Sequence, residues 1–219
     1  YDDALDINEF GGGFRLNDDQ GNDVLRPEIK TEMELGTDLR FFKDRLSLGL
    51  TYYKNEIKDI LLAVNLSPSS GFLSKYANAG RMENRGLEVD LGYKIIAEAN
   101  YGLELYGNWN NNRNKVLDLA GADRVALTDQ SITSNAIVGQ PLGILFSSKA
   151  LRNEDGSLAL DANGFPRLAP QQGIIGDPNP DWRGGLGLRG NYKKLNFNVL
   201  FETFQGGDFA ERTRFVLNA

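Results

Sequence analysis

Carboxylates are the side chains whose spacing in this sequence could support chemistry. Glu88 and Asp90 lie two residues apart in an alternating segment, and Glu104 lies in the next such segment, so the three can share one face. Two facing carboxylates are the usual acid and base of glycoside hydrolysis. The same side chains also suit a water-lined wall, which needs polar groups whether or not it acts on a ligand. The sequence favours the wall, and we predict no catalytic residue and no enzymatic activity.

A second group of acidic residues could bind calcium. Asp155 precedes a glycine, Asp161 and Asn163 precede another, and Asp177 follows downstream. A calcium loop needs five or more oxygen ligands at regular spacing, closed by a bidentate carboxylate, and no glutamate closes this one. Asp and Asn before glycine are also common turn residues. We therefore predict turns rather than a metal site and expect no cofactor, with calcium binding at 155–177 as the alternative.

The composition excludes several other sites. The 219 residues include no cysteine and no histidine, which removes disulfides, thiolate or imidazole metal sites and histidine-dependent nucleophiles. Lys and Arg total 24 against 30 Asp and Glu, a net charge of -6, and no basic stripe could follow a phosphate backbone. Nucleic acid is therefore not an expected partner. No apolar run reaches the roughly 18 residues of a membrane-spanning helix.

The elements that must position these side chains are strands. Apolar residues alternate with glycine and charged residues over 32–42, 46–52, 86–93, 101–109 and 186–203, which predicts an all-β chain of about six antiparallel strands. We predict a loop at 1–27, four strands within 28–115, a long excursion at 116–180, two strands within 181–204 and the start of another loop at 205–219. Short turns and long connections then lie at opposite ends of the sheet, as in outer-membrane barrels.

Two environments could cover the apolar face of these strands. In a soluble β-sandwich a second sheet would cover it, whereas in a transmembrane barrel it would face acyl chains. Glycines on the opposite face, such as Gly92 and Gly187, favour a curved barrel wall. Tyr101 and Trp109 share the apolar face about 27 Å apart along the strand, or roughly 21 Å along a tilted barrel, close to the ~25 Å between aromatic girdles. These features favour the lipid environment.

The alternation assigns residues to the two faces. The predicted lipid-facing residues are Leu46, Leu48, Leu50, Leu87, Val89, Leu91, Leu103, Leu105, Leu186, Leu188, Val199 and Phe201. The predicted lumen-facing residues are Glu88, Asp90, Glu104, Tyr106 and Asn108. Six strands in an open sheet would leave unpaired edges in hydrocarbon, so we expect strands outside this sequence to complete the barrel.

Several ordered motifs resemble those of one family. Residues 25–36 (LRPEIKTEMELG) and 78–91 (NAGRMENRGLEVDL) resemble strand segments of TonB-dependent outer-membrane receptors. More selective are SPSSGF at 67–72, NRNKV at 112–116, VGQPLG at 138–143, IGDPNPDWRGG at 175–185 and QGGD at 205–208. Together they resemble the SusC/RagA branch of that family, from about residue 20 to the end.

The resemblance implies part of a multi-pass β-barrel in the bacterial outer membrane, from the C-terminal half of the barrel. It implies import of glycans or peptides with a SusD-like surface lipoprotein, and coupling to the TonB complex through an N-terminal part outside this sequence. We predict ligand contacts at Trp109, Asn110, Asn111, Asn112 and Arg113, because amide, guanidinium and aromatic groups suit sugars and peptides. A siderophore-type receptor and a soluble β-sandwich binding module are the alternatives.

Overall fold

A computed structural model describes residues 6–7, 14–15, 18–98, 100–128 and 130–211. Most of the described residues lie in strands. In chain order the strands are β1 (Asp6–Ile7), β2 (Phe14–Arg15), β3 (Asp19–Gln20), β4 (Ile29–Phe41), β5 (Leu46–Asn65), β6 (Ser74–Ala97), β7 (Tyr101–Asp118), β8 (Arg124–Ala126), β9 (Thr133–Ile137), β10 (Ile144–Ala150), β11 (Leu168–Gly176), β12 (Pro180–Tyr192) and β13 (Leu195–Gly206). A short 3-10 turn spans Pro68–Ser70. Among the described residues, no helix has the length and apolar character needed to span a membrane.

Six long strands form the main sheet. Its order is β13-β12-β7-β6-β5-β4, and β3 pairs in parallel with β6. Three of its connections are short, at 42–45, 98–100 and 193–194, and they join β4 to β5, β6 to β7 and β12 to β13. The other two, at 66–73 and 119–179, are longer. A second sheet has the order β11-β10-β9-β8, and β1 pairs with β2.

The chain divides into two compact units. The core unit comprises Tyr1–Thr31, Glu56–Met82 and Lys115–Ile175. The sheet unit comprises Glu32–Asn55, Glu83–Asn114 and Gly176–Ala219.

The core unit buries its own apolar side chains. Its cluster comprises Leu62, Val116, Leu119, Val125 and Ala136. Leu119 and Val116 are each 2% exposed, as expected for a close-packed interior that excludes water. A buried polar residue of this unit, Asn135, accepts a hydrogen bond from Arg124 and donates to the Thr133 carbonyl oxygen and hydroxyl. Because its polar groups are satisfied, its burial carries little penalty.

The NAG segment that begins the family-like motif at 78–91 makes its contacts within the core unit. The Asn78 side-chain amide donates to the carbonyl oxygens of Arg26 at 2.7 Å and Asp59 at 2.8 Å, and its oxygen accepts from the Arg26 N–H at 2.9 Å. A Cβ at Gly80 would lie only 2.9 Å from the Ile60 Cβ. Asn78 therefore connects the Arg26 and Asp59 segments, which are distant in sequence. The absence of a side chain at Gly80 lets β6 pack closely against Ile60 of β5.

The strands are longer than their alternation indicates. The apolar alternation stops after residue 52 and resumes at residue 86, yet β5 continues to Asn65 and β6 begins at Ser74. The predicted excursion at 116–180 likewise contains the end of β7 and all of β8 to β11. Pairing continues in both places although the side-chain pattern changes, because Leu62 and Val116 contribute to a packed core rather than to an open apolar face.

Candidate functional site

The register of β7, β12 and β13 fixes which side chains of the sheet unit share a face. Arg189 lies opposite Glu104 on β7 and Asn198 on β13, and the rows continue at every second residue. The polar face of these strands carries five successive rows: Gly102–Asn191–Asn196, Glu104–Arg189–Asn198, Tyr106–Gly187–Leu200, Asn108–Gly185–Glu202 and Asn110–Arg183–Phe204. The apolar face carries the rows between them: Tyr101–Tyr192–Leu195, Leu103–Gly190–Phe197, Leu105–Leu188–Val199, Gly107–Leu186–Phe201 and Trp109–Gly184–Thr203.

The apolar face is open. Phe201 is 75% exposed, Leu186 54% and Val199 48%. Strands β4 and β6 add further exposed apolar side chains: Met33, Leu35, Leu39, Phe41, Leu87, Leu91 and Tyr93. An apolar surface of this extent is unusual on a water-soluble monomer.

Aromatic rings mark both ends of the apolar face. At the short-turn end, the rings of Tyr101 and Tyr192 stack with centroids 6.5 Å apart. Eight residues along β7, Trp109 lies on the same face, and Trp182 is its aromatic neighbour on β12. Gly184 lies between these two indoles, since a Cβ there would be 3.4 Å from Trp182 and 3.7 Å from Trp109. Rows of Leu, Val and Phe separate the two aromatic ends.

On the part of the polar face nearer the short turns, the polar side chains bond to one another. Arg189 donates to both carboxylate oxygens of Glu104, at 3.1 and 2.9 Å, and its guanidinium lies 5.1 Å from the Tyr106 ring centroid. The Tyr106 ring crosses Gly187, where a Cβ would overlap it, and its hydroxyl donates to Asn198 on β13 at 2.7 Å. We call the rows of Glu104 and Tyr106 the paired rows. Their polar groups serve mainly to connect three strands.

The same arrangement recurs on β5, β6 and β7. The Tyr53 ring crosses Gly86, where a Cβ would overlap the phenol, and its hydroxyl donates to Asn112 at 3.0 Å. Nearby, Asn84 donates to the buried Asn55 at 3.0 Å. A tyrosine that covers a glycine on the next strand and reaches an asparagine two strands away therefore occurs twice among the residues that the structure describes. Such coverage shields an otherwise bare strand backbone.

The next two rows of the polar face differ from the paired rows. They contain Asn108, Gly185 and Glu202, then Asn110, Arg183 and Phe204, and we call them the open rows. Within the described part of the chain, the side chains of Asn108, Asn110, Arg183 and Glu202 have no hydrogen bond or ion pair. They line a recess of about 880 Å³ together with Phe204, which is 68% exposed. These polar side chains are available to a ligand.

The five predicted ligand-binding residues lie in β7. Successive residues point to opposite faces, so Trp109 lies on the apolar face and Asn110 on the polar face. Asn112 accepts a hydrogen bond from Tyr53, and Asn111 donates to the Asp181 carbonyl oxygen at 2.5 Å. Arg113 forms an ion pair with Asp181 at 2.9 Å. The structure therefore does not bring the five together: of this group, only Asn110 lines the recess with its side chain unpaired.

The predicted lumen-facing residues share the polar face. Glu104, Tyr106 and Asn108 occupy consecutive rows of β7. On β6, Glu88 and Asp90 alternate in step with Gly86 and Gly92 and therefore share their face of the strand, and both are exposed.

Sequence reasoning missed the recess residues Arg183, Glu202 and Phe204. A usable signal is present for Arg183, because it alternates with Trp182 and Leu186 and therefore shares the face of Gly185 and Gly187. The register against Asn110, which is 73 positions earlier in the chain, is not encoded in any local pattern.

Two of the family-like motifs contact each other beside the recess. The Asp208 carboxylate of QGGD accepts a hydrogen bond from the Asp177 N–H at 2.8 Å, and the Asp208 N–H donates to the Asp177 carbonyl oxygen at 2.6 Å. Asp177 also accepts from the backbone and side-chain nitrogens of Asn179, at 2.9 and 2.7 Å. Gly206 and Gly207 both have positive φ, 77° and 87°, which glycine adopts readily. The two motifs thus build one corner.

The acidic excursion forms turns. Asp155 accepts from the Ser157 hydroxyl and N–H at 2.6 and 2.9 Å, and these bonds lower the pKa of the Asp155 carboxyl. Asp161 accepts from the N–H groups of Asn163 and Phe165 at 2.8 and 2.9 Å. In the part of the chain that the structure describes, no three acidic side chains are grouped closely enough to hold a metal ion.

Comparison with known proteins decides the family. Residues 5–217 match the family model described as "TonB dependent receptor-like, beta-barrel". The chain belongs to the TonB-dependent receptor β-barrel family. The two-faced sheet is therefore a segment of an outer-membrane β-barrel. Receptors of this family are transporters rather than enzymes.

The relatives agree with the SusC/RagA resemblance of the motifs. TonB-dependent receptor P3 of Formosa agariphila is 27% identical over 92% of this chain and 23% of its own length. TonB-dependent receptor SusC of Bacteroides thetaiotaomicron is 28% identical over 81% of this chain and 19% of its own length. The RagAB peptide importer in its closed-closed state aligns with TM-score 0.69 and 23% identity, over 91% of this chain and 23% of that one. This TonB-dependent receptor segment spans about a quarter or less of each.

Proposed function

We propose that this chain is part of the wall of an outer-membrane importer that takes up oligosaccharides or peptides and has no enzymatic activity. The observation that carries the proposal is the contrast between the two faces of the sheet unit. Its apolar face exposes Phe201, Leu186 and Val199, and its polar face carries paired charges and a polar recess. A wall of this kind separates acyl chains from a water-filled interior.

On this proposal the apolar face contacts lipid. The lipid contacts would be Leu46, Leu48, Leu50, Leu87, Val89, Leu91, Leu103, Leu105, Leu186, Leu188, Val199 and Phe201. The stacked Tyr101 and Tyr192 would lie at one water interface, and Trp109 with Trp182 at the other, because amphipathic rings favour the headgroup level. The long connections would lie on the extracellular side.

The ligand would contact the polar face. Glu88, Asp90, Glu104, Tyr106 and Asn108 would line the lumen. Among the five predicted ligand-binding residues, Asn110 is the side chain best placed for contact, because Asn112 and Arg113 already have protein partners. Trp109 would serve the membrane interface instead.

Partners are proposed from the relatives. The solved neighbours include "Structure of the RagAB peptide transporter", and one curated relative is named SusC. We propose a SusD-like surface lipoprotein at the extracellular side of this receptor. Energy would come from the TonB complex through a part of the receptor outside this chain.

Uptake by cells tests the proposal. A strain that lacks the complete receptor gene would be complemented with the wild-type gene and grown on defined oligosaccharides or oligopeptides as sole carbon source. We expect complementation to restore growth on one of these classes and a lipoprotein to copurify with the receptor. Restored growth only with ferric siderophores under iron limitation would support the siderophore-type alternative instead. A receptor that folds without detergent or lipid would contradict the barrel itself.

A further inference from the structure

The open rows combine one cation, one anion and two amides on a small area of the polar face. Arg183 lies directly opposite Asn110, and Glu202 lies in the adjacent row with Asn108. Neighbouring strands are about 4.8 Å apart and alternate residues about 7 Å apart, so the four side chains fall within reach of one sugar ring or one amino-acid residue. Gly185 lies in the row between Asn108 and Glu202 and adds no side chain to that row.

Two arginines on β12 differ in their partners, and this difference distinguishes the open rows from the paired rows. Arg189 is neutralised by a bidentate contact with Glu104. Arg183 is six residues away on the same strand and the same face, and within the described residues its guanidinium has neither an ion pair nor a hydrogen bond. Glu202, the nearest carboxylate by row, does not bind it. An exposed guanidinium with its five donors free matches the geometry of a carboxylate.

We propose that the open rows form a ligand subsite for a carboxylate-bearing group. Arg183 donates two hydrogen bonds to the carboxylate, and the Asn110 and Asn108 amides bind the polar atoms beside it. Glu202 accepts from a neighbouring hydroxyl or ammonium group of the ligand, and Phe204 offers an apolar surface to its ring or side chain. The carboxylate could belong to a uronic-acid sugar or to a peptide C-terminus, because both present the same planar acceptor. This subsite rests on the proposed import function.

Paired probes test the subsite in the complete receptor, purified from outer membranes in detergent. Binding of trigalacturonate is compared with its neutral methyl ester, and binding of trialanine with its C-terminal amide, by isothermal titration. We expect one acid form to bind the wild type about tenfold to a hundredfold more tightly than its neutral counterpart, the range for hydrogen bonds to a charged group. The pair that shows this preference identifies the source of the carboxylate.

Two variants localise the preference. Arg183→Gln should abolish the preference for the acid form, and Arg183→Lys should retain part of it, since a lysine keeps the charge but not the bidentate geometry. Arg189→Gln is the matched control, and it should keep the preference because its guanidinium is already occupied by Glu104. Heat-modifiable gel mobility confirms that each variant is folded.

Four results would overturn the subsite. These are equal binding of the acid and neutral forms, no binding of either acid form, equal loss of preference in Arg183→Gln and Arg189→Gln, or a lowered melting temperature in Arg183→Gln with the preference intact. The last result would show that Arg183 contacts another part of the protein. Uptake by cells that does not discriminate between acid and neutral forms would contradict the subsite but not the import function. Absence of any uptake would contradict the import function itself.

Discussion

The core unit and the sheet unit place apolar side chains in opposite environments. Val116 and Leu119 of the core unit are 2% exposed, whereas Phe201 and Leu186 of the sheet unit are 75% and 54% exposed. Both units are built from antiparallel strands, so the difference does not come from the type of backbone. It shows that the core unit obtains its hydrophobic stabilisation from its own packing, while the sheet unit needs an apolar solvent for one face.

The same leucine truncation should have very different effects in the two units. Leu119→Ala should lower the free energy of unfolding of the core unit by about 2 to 5 kcal/mol, because it leaves a cavity in a closed cluster. Leu186→Ala, the matched change on the open face, should stay within about 0.5 kcal/mol. Hydrogen exchange of backbone amides in the complete receptor measures both. Equal losses of stability in Leu119→Ala and Leu186→Ala would contradict the difference between the two units.

A charge on the apolar face is the next largest effect. Leu105 lies midway between Tyr101 and Trp109, so Leu105→Arg should cost about 2 to 4 kcal/mol of folding free energy in lipid vesicles. Asn108→Arg carries the same charge on the polar face of the same strand, next to the row of Glu202, and should be nearly silent. Folding yields of the two variants into vesicles make the comparison. Similar yields would contradict the assignment of faces.

The contact between the Tyr106 ring and Gly187 on the polar face can be tested by substitution. Gly187→Ala should destabilise the receptor by about 1 to 3 kcal/mol, because the new Cβ overlaps the Tyr106 ring. In a Tyr106→Ala background the same change should be almost neutral, since the ring is gone. Urea unfolding of the four proteins of this double-mutant cycle gives the coupling energy. Additive effects of the two substitutions would show that the position of the Tyr106 ring does not depend on Gly187.

The smallest expected effect lies in the acidic excursion. The pKa of Asp155 is lowered by the Ser157 hydroxyl and N–H, so the ionised carboxylate holds this turn at neutral pH. Its contribution is present above the ordinary aspartate pKa and is lost as the pH falls through the lowered value. Protection of the Ser157 amide from hydrogen exchange should decrease over that acidic range and should already be weak in Asp155→Ala. Unchanged protection in the variant would mean that the backbone alone sets the turn.

The sequence predicts the sheet unit better than the core unit. Alternation of Leu103 and Leu105 with Glu104 and Tyr106 follows from two different environments on the two sides of one sheet, and this signal is local. In the core unit, Leu62 and Val116 pack into one cluster from segments far apart in sequence, so no short window shows the pattern. For this reason the sequence predicts an excursion at 116–180, where the structure has strands.

The recess was hidden from sequence reasoning for a related reason. Arg183 and Glu202 gain meaning only from their register against Asn110 and Asn108, which is set by pairing over tens of residues. By contrast, QGGD at 205–208 stands out in the sequence through its resemblance to the family, and the positive φ of Gly206 and Gly207 restricts residue type there without any long-range pairing. Long-range pairing has no such local signal.

The most direct test of the account is the environment of each face in the assembled receptor. These 219 residues contain no cysteine. Single cysteines at Leu105, Val199, Asn108 and Glu202, in a complete receptor from which any other cysteine has been replaced, would carry nitroxide labels in lipid vesicles. We expect labels at Leu105 and Val199 to collide mainly with lipid-soluble oxygen, and labels at Asn108 and Glu202 mainly with a water-soluble nickel chelate. Labels at Leu105 and Val199 that are shielded from both reagents would place protein over the apolar face and contradict the barrel wall.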